Sequence, residues 1–196
     1  MDIFINGEKV SLGIRTTKLL SVLEKLEAKV INHGEVIVEL KLDGEKVDGR
    51  SLPLNKKIKV LELKTRSHRE ILIESLYLLE TYSDKFFDNF EELAEDGEDL
   101  GKIIEMVSFV EWILGIVLSL REATAIDLLY TDYNEYADEF KKYADEVFDA
   151  FKKEEFGGVM EILDGAISPL VDDLLLNHKD YLREVLKEEK RKKMLN

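Results

Sequence analysis

Three histidines and several neighbouring carboxylates are the side chains of this sequence whose types and spacing could do chemistry. A di-iron helical bundle needs a Glu three residues before its ligating His, which places both side chains on one helix face. His33, His68 and His178 all lack a Glu at that position. Each lies beside a predicted helix end, so we interpret them as surface or capping residues rather than as metal ligands or catalytic bases.

Carboxylates also occur in adjacent pairs, at Asp172-Asp173 and Glu154-Glu155. Successive residues of a helix point about 100° apart, so neither pair converges on one ion and a solvated acidic face is expected. Glu105 and Glu111 lie within an apolar helical stretch, where burial would demand a partner such as Arg121. Exposure at the helix edge is the preferred interpretation for both.

The remaining motifs that could carry a reaction are missing. The chain has no cysteine, which excludes disulfides, thiolate metal sites and a thiol nucleophile. Neither GxGxxG nor GxxxxGK[ST] occurs, and Gly157-Gly158 has neither the preceding strand nor the lysine that a phosphate site needs. We therefore predict no catalytic residue, no metal and no cofactor, and expect a protein that is not an enzyme.

A series of tyrosines is the candidate interaction site. Tyrosine is enriched at protein interfaces because it combines a large contact area with a polar tip. The series is predicted to be semi-exposed on one helix, and the alternative is that its members line the helical core. The residues are Tyr130, Tyr133, Tyr136 and Tyr143.

The elements that would position these residues change near residue 65, where the hydrophobic period lengthens from two to about three and a half. Residues 36–42 alternate as a half-buried strand does, whereas the apolar residues after Leu72 recur with the spacing of one helix face. Ser67 and Glu70 match a helix capping box at this transition. The sequence thus predicts a strand-rich module over 1–65 and an acidic bundle of four to five helices over 66–196, an α+β protein.

The strand-rich module begins with Asn6-Gly7 between two short runs, which predicts a type I′ hairpin with positive φ at both turn positions. A helix follows from about Thr17 and ends at Gly34, and later strands cover 35–42 and 58–63, with a turn at Asp43-Gly44. This order resembles the ubiquitin-like β-grasp fold, which implies one helix on a mixed sheet whose last strand lies parallel beside its first.

The resemblance to ubiquitin implies no activity here. Ubiquitin and the sulfur carriers depend on a free Gly-Gly at the end of the module, whereas this chain continues through Lys64-Thr65 into the capping box. The whole pattern is similar to uncharacterised two-part bacterial proteins with a ubiquitin-like start and a Leu/Glu-rich helical end. Absent Gln and abundant Lys and Glu give it a thermophile-like composition.

The helical half contains one stretch, Ile103 to Leu120, that approaches the length of a membrane span. Its two glutamates and its acidic amphipathic neighbours favour a central helix of a cytoplasmic protein over a membrane span. Val110, Leu114 and Val117 are predicted to form its buried face. Further along, Gly157-Gly158 is expected to break a helix, and Pro169 either kinks a helix or begins a new one capped by Ser168.

Charge limits the choice of partner. Residues 1–65 hold 12 Lys/Arg and 10 Asp/Glu, a balance of +2, and the rest holds 16 against 32, a balance of −16. The acidic half is therefore a poor ligand for nucleic acid or anionic lipid. A basic run at Lys56, Lys57 and Lys59 could bind RNA weakly, although lysines that protect a strand edge explain it as well.

Apolar surface in the helical half exceeds what one stripe per helix requires. The stripes are widened at Leu78-Leu79, Phe86-Phe87, Leu128-Leu129 and Leu174 to Leu176. We therefore expect a protein partner or self-association through the helical half, in an adaptor, chaperone-like or regulatory role. The alternative is a small-molecule-binding protein or enzyme with a pocket between bundle helices.

Overall fold

A computed structural model of the chain describes residues 1–13, 18–47, 52, 57–96, 99–123 and 126–195. The chain divides into two compact units, Met1–Ile71 and Leu72–Asn196. The sequence predicted the boundary between the two parts of the chain after residue 65. The arrangement of a mixed sheet followed by helices is α+β, as predicted.

The described part of the first unit contains one five-stranded mixed sheet, ordered β2-β1-β5-β3-β4. The neighbours β1 and β5 are parallel, with Asp2 opposite Val60 and Ile5 opposite Leu63, and the other pairs are antiparallel. The first and last of these strands are therefore adjacent and parallel, the arrangement that the resemblance to the β-grasp fold implies. The strands are β1 Asp2–Ile5, β2 Glu8–Lys9, β3 Glu35–Leu42, β4 Glu45–Lys46 and β5 Val60–Ser67.

Both predicted hairpin turns have the backbone conformation that their sequences demand. Asn6 and Gly7 have φ of 52° and 85°, and Asp43 and Gly44 have φ of 52° and 87°. These left-handed conformations suit Asn, Asp and Gly because their steric cost there is lowest. The Asn6 amide also ties the first hairpin to β5: its Nδ2 donates to Thr65 Oγ1 at 2.8 Å, and Thr65 N donates to its Oδ1 at 2.9 Å.

Helix α1, Leu19–Asn32, packs its apolar face against one side of this sheet. Gly34 follows the helix with φ of 69°, the position at which a glycine ends a helix. The predicted start at Thr17 lies outside the described residues. The core between helix and sheet contains Ile3, Leu19, Val22, Leu26, Leu42, Ile58, Leu61 and Leu63.

The first turn provides a test of this unit. Replacing Gly7 by valine forces a β-branched residue to φ near 85° and should lower the free energy of unfolding by about 1–3 kcal/mol. Glu8→Val is the matched control, because Glu8 is an exposed strand residue without positive φ. Urea unfolding of both variants measures the difference, and equal losses would contradict the turn conformation.

The described chain is helical from His68 onward, so the first turn of α2 belongs to the first unit and the second unit, from Leu72, consists of helices in its described residues. The long helices are those that the periodicity predicts, and α4 is a single turn between two of them. The bounds are α2 His68–Asp96, α3 Leu100–Ala123, α4 Ile126–Leu129, α5 Tyr133–Lys152, α6 Phe156–Ile162 and α7 Ser168–Leu195.

The start of α2 is the predicted capping box. Glu70 N donates to Ser67 Oγ at 3.1 Å, and Ser67 N donates to Glu70 Oε2 at 3.2 Å. These reciprocal bonds satisfy backbone donors that a helix start leaves without an intrahelical partner. The similar pattern at Asp132 and Glu135 does not act in this way, since the Asp132 side chain makes no capping bond.

The C-terminal helices differ from the prediction at Gly157-Gly158 and from both alternatives considered at Pro169. The helix break predicted at Gly157-Gly158 is wrong in position: α5 ends at Lys152, the chain turns at Glu154 with φ of 61°, and both glycines lie within α6. Pro169 neither interrupts the helix nor needs Ser168 as a cap. A π-helical stretch, Leu163–Ile167, joins α6 to α7, and Ser168 Oγ donates to the Leu163 carbonyl at 2.9 Å.

Helix α3 supplies much of the core of the second unit. Its buried side chains recur at three- and four-residue spacing at Ile103, Met106, Val110, Ile113, Val117 and Leu120. The predicted face is therefore correct at Val110 and Val117 but wrong at Leu114, which is only half-buried. The buried stripe runs through the neighbouring Ile113, one position earlier.

Candidate interaction surface

Helix α3 has apolar residues on every side, and the fold covers only part of them. Within the described residues, the stretch Leu100–Glu122 is the one helix long and apolar enough to cross a membrane, and 44% of its apolar 18-residue window is buried in the structure. Such a helix in a soluble fold is either covered on all sides or contributes apolar residues to the surface. Here Leu100 and Ile104 are exposed, and Val107, Trp112, Leu114 and Leu118 are half-buried.

An aromatic groove, which we call the α2–α3 groove, lies between α3 and α2. Its volume is about 480 Å³. Phe86 of α2 stacks on Phe109 of α3 with ring centroids 4.6 Å apart, and Tyr82 meets Trp112 edge-on at 5.1 Å. The lining is mostly apolar, with a few polar groups at its edge: Tyr82, Lys85, Phe86, Asn89, Ile104, Glu105, Met106, Ser108, Phe109 and Trp112.

The side chains that line this groove differ in how far they are exposed to solvent. Phe86 and Phe109 form the floor and are buried, whereas Tyr82 and Ile104 are each 45% exposed. A tyrosine and an isoleucine so exposed beside a half-buried tryptophan form a continuous apolar surface. Such a surface marks a contact for another molecule more often than an isolated exposed leucine does.

The polar groups of the groove are paired with one another. Lys85 Nζ lies 2.8 Å from Glu105 Oε2, and the buried Asn89 amide also bonds to Glu105. The hydrogen bond and the positive charge of Lys85 hold the pKa of Glu105 below its usual range, and Glu105 likewise raises the pKa of Lys85. Glu105 is thus exposed at the helix edge, as the sequence predicted for this residue, and it is paired with Lys85.

The four candidate tyrosines occupy different environments in the second unit. Tyr133 is only 2% exposed, and its hydroxyl donates to the Val117 carbonyl at 3.0 Å. Tyr136 is half-buried and donates to the Leu170 carbonyl at 2.9 Å. Burial raises the pKa of both hydroxyls. Tyr133 therefore belongs to the core of the helical unit and Tyr136 packs against that core, as expected if the series lines the core.

The other two members of the series are half-buried at the edge of the core. Tyr130 meets Tyr181 edge-on with ring centroids 5.1 Å apart, and burial raises its pKa. Lys142 Nζ lies 4.7 Å from the centre of the Tyr143 ring. Tyr130 and Tyr143 therefore remain candidates for contact, but the structure does not bring the four tyrosines together as one surface.

The three histidines and the paired carboxylates form no metal-binding group within the described residues. His178 is buried; its Nε2 lies 3.3 Å from Glu80 and its Nδ1 lies 2.5 Å from the Leu175 carbonyl. His33 Nδ1 contacts the Lys29 carbonyl at the end of α1. Among the described residues, no group of three or more His, Asp and Glu side chains could hold a metal ion.

The basic residues of the first unit surround an acidic one. Glu39 lies within 3.5 Å of the ammonium groups of Lys41, Lys46 and Lys64, and the hydrogen bond from Lys64 lowers its pKa. Three of them, Glu39, Lys41 and Lys64, line a second depression of about 630 Å³ on the sheet. In the predicted RNA-binding run, Lys57 and Lys59 are exposed, and Lys56 lies outside the described residues.

Sequence reasoning missed the α2–α3 groove because its walls come from two helices. The signal that could have found it is the pair of aromatic residues Tyr82 and Phe86, which lie four residues apart and therefore on one face of α2. The partners across the groove, Trp112 and Phe109, lie 30 and 23 residues further on.

Together the mixed sheet and the grooved helical unit define a two-part α+β protein. A protein-family model described as the TP0873 N-terminal domain matches residues 1–67. The match covers the strand-rich part, which is thus similar to that family. Searches of curated proteins and of solved structures found no match to the chain.

Proposed function

We propose that this protein is a non-enzymatic interaction protein, an adaptor, chaperone-like or regulatory subunit, that binds its partner through the α2–α3 groove. The observation that carries the proposal is the open aromatic lining, with Tyr82 and Ile104 exposed above a floor of Phe86 and Phe109. Burying aromatic side chains of this kind supplies a large share of the free energy of binding at protein interfaces.

We further propose that the first unit is a ubiquitin-like β-grasp module. The strand order β2-β1-β5-β3-β4, the parallel pair β1 and β5, and the single packed helix α1 support this assignment. A β-grasp module offers its sheet or its edges to other proteins. The assignment therefore agrees with an interaction role and adds no reaction.

A second candidate is a small-molecule site in the same groove. Its volume of about 480 Å³ falls in the range of ligand pockets. Ligand pockets, however, hold polar groups that converge on the ligand. Here Lys85, Glu105 and Asn89 satisfy one another, so an apolar side-chain contact explains the groove better.

Site-specific photo-cross-linking tests the proposal in cells of the native host. A photoreactive phenylalanine at position 82 should give a discrete protein adduct, because the groove would hold the partner against it. The same residue at position 77 is the matched control, since Tyr77 is 64% exposed on α2 outside the groove lining. Absence of an adduct at 82, or equal adducts at both positions, would refute the proposal, and a small-molecule adduct would favour the second candidate.

A further inference from the structure

The two helices that form the α2–α3 groove carry a large excess of acidic residues. Residues 68–123, which contain both helices, hold 14 Asp/Glu against 4 Lys/Arg, a balance of −10. Asp88 and Glu111 are exposed and lie three residues after the lining residues Lys85 and Ser108, about one helical turn away. Neither carboxylate forms an ion pair within the part of the chain that the structure describes. The groove therefore has an apolar floor, and exposed carboxylates lie within about one helical turn of its lining on both helices.

The shape of the apolar surface suits a helix. The exposed Leu100, which lies outside the lining, and the lining residues Ile104 and Trp112 span thirteen residues of α3, a rise of about 18 Å at 1.5 Å per residue. A strand would need a free sheet edge to pair with, and the groove is built from two helices whose backbones are already hydrogen-bonded. An amphipathic helix instead needs only a channel for its apolar stripe, which two packed helices provide.

We infer that the groove binds a cationic amphipathic helix of a partner protein, with its apolar stripe on Tyr82, Ile104 and Trp112 and its Lys or Arg side chains beside Asp88, Glu105 and Glu111. This inference rests on the proposed interaction role of the groove. Charge complementarity selects the occupant: an acidic helix, or a second copy of a chain with net charge −14, would be repelled at the same surface.

The ion pair between Lys85 and Glu105 provides a test of whether the partner helix is cationic. Lys85 is the one basic side chain lining the groove within the described residues, and it already neutralises Glu105. A cationic partner would compete with Lys85 for this carboxylate. Lys85→Gln should therefore tighten binding of a cationic helix, and Glu105→Gln should weaken it.

Trp112 offers a direct readout, because it is the only tryptophan of the chain and it lines the groove. The probes are three peptides of about 14 residues that contain neither Trp nor Tyr: a Leu/Lys amphipathic helix, a Leu/Glu helix with the same leucine positions, and a Leu/Lys peptide with scrambled leucines. The Leu/Lys helix should shift the Trp112 emission to the blue in a saturable manner. Its Kd should rise on the order of tenfold between low and high salt.

Matched variants locate the binding site. Tyr82→Ser should weaken binding of the Leu/Lys helix several-fold, whereas Tyr77→Ser, outside the groove lining, should leave the Kd unchanged. Far-UV circular dichroism of each variant confirms that the helices are retained. Equal effects of the two variants would place the peptide elsewhere and overturn the inference.

Other outcomes distinguish the alternatives. Equal binding of the Leu/Glu and Leu/Lys helices would contradict the inference that the partner helix is cationic. The proposed interaction role would then still be tested separately, by cross-linking at position 82. A Trp112 shift with phosphatidylcholine vesicles but with no peptide would overturn it in favour of lipid. A shift that grows with protein concentration and with salt, in the absence of peptide, would overturn it in favour of a second copy.

Discussion

Replacing Ile113 by alanine is expected to lower the free energy of unfolding of the helical unit by about 2–5 kcal/mol. Ile113 is fully buried on α3, and truncation removes apolar contacts and leaves a cavity. Chemical denaturation followed by far-UV circular dichroism measures the loss.

Leu114 is the matched control for Ile113, since it is the next residue of the same helix and is only half-buried. Leu114→Ala removes a side chain of the same size, but solvent and flexible neighbours can fill the space. The loss at Leu114 should be smaller than the loss at Ile113. A larger loss at Leu114 would mean that the buried stripe of α3 runs where the sequence alone placed it.

The second large effect is expected at Tyr133. Tyr133→Ala should lower the free energy of unfolding by about 3–5 kcal/mol, as for other large buried aromatic residues. The ring packs against Tyr136 and Tyr181, with centroids 5.8 and 5.6 Å away, and the hydroxyl bonds the Val117 carbonyl.

The control for Tyr133 is Tyr143→Ala, because Tyr143 belongs to the same predicted series but is half-buried. Its loss of stability should be smaller. Tyr133→Phe separates the hydroxyl from the ring and should cost about 0.5–1.5 kcal/mol, the value of one hydrogen bond. If Tyr133→Ala leaves stability unchanged and instead abolishes partner binding, the core assignment is wrong.

The strand-rich unit could be predicted in detail because its signals are local. Asn6-Gly7 and Asp43-Gly44 specify their turns within two residues, and Gly34 marks the end of α1. The strand β5 was predicted to be shorter than it is: it continues to Ser67, since Thr65 is held by Asn6 and its hydroxyl donates to Glu35 at 2.6 Å. Those contacts span 59 and 30 residues, and no local pattern encodes them.

The errors in the helical unit also have physical causes. Gly157-Gly158 was expected to break a helix because glycine is a poor helix former, but the helix ends earlier, where Glu154 adopts a left-handed conformation. The backbone amide of Glu155 donates there to the Ala150 carbonyl at 3.0 Å and helps to end the helix. The π-helical stretch before Ser168 also depends on the packing around it, which no local sequence pattern specifies. The sequence near Pro169 therefore left open whether a helix kinks there or a new helix begins.

The candidate site was the least predictable part. An excess of apolar residues in the helical half follows from composition, and exposed Leu128, Leu129 and Leu176 agree with it. Which of these residues share one surface depends on how the helices pair. The groove exists because α2 and α3 run so that Tyr82 reaches Trp112 and Lys85 reaches Glu105, and a single helix pattern contains neither contact.

The strand order of the sheet has a consequence for how the chain folds as it is made. β5 is the last strand in the sequence and the middle strand of the sheet. Until Val60 to Ser67 have left the ribosome, the strands of the described residues can form no more than two separate ribbons, β1 with β2 and β3 with β4. Isolated two-stranded ribbons are marginally stable in water. The N-terminal unit should therefore remain unfolded through most of its own synthesis and form in one step when its final strand arrives.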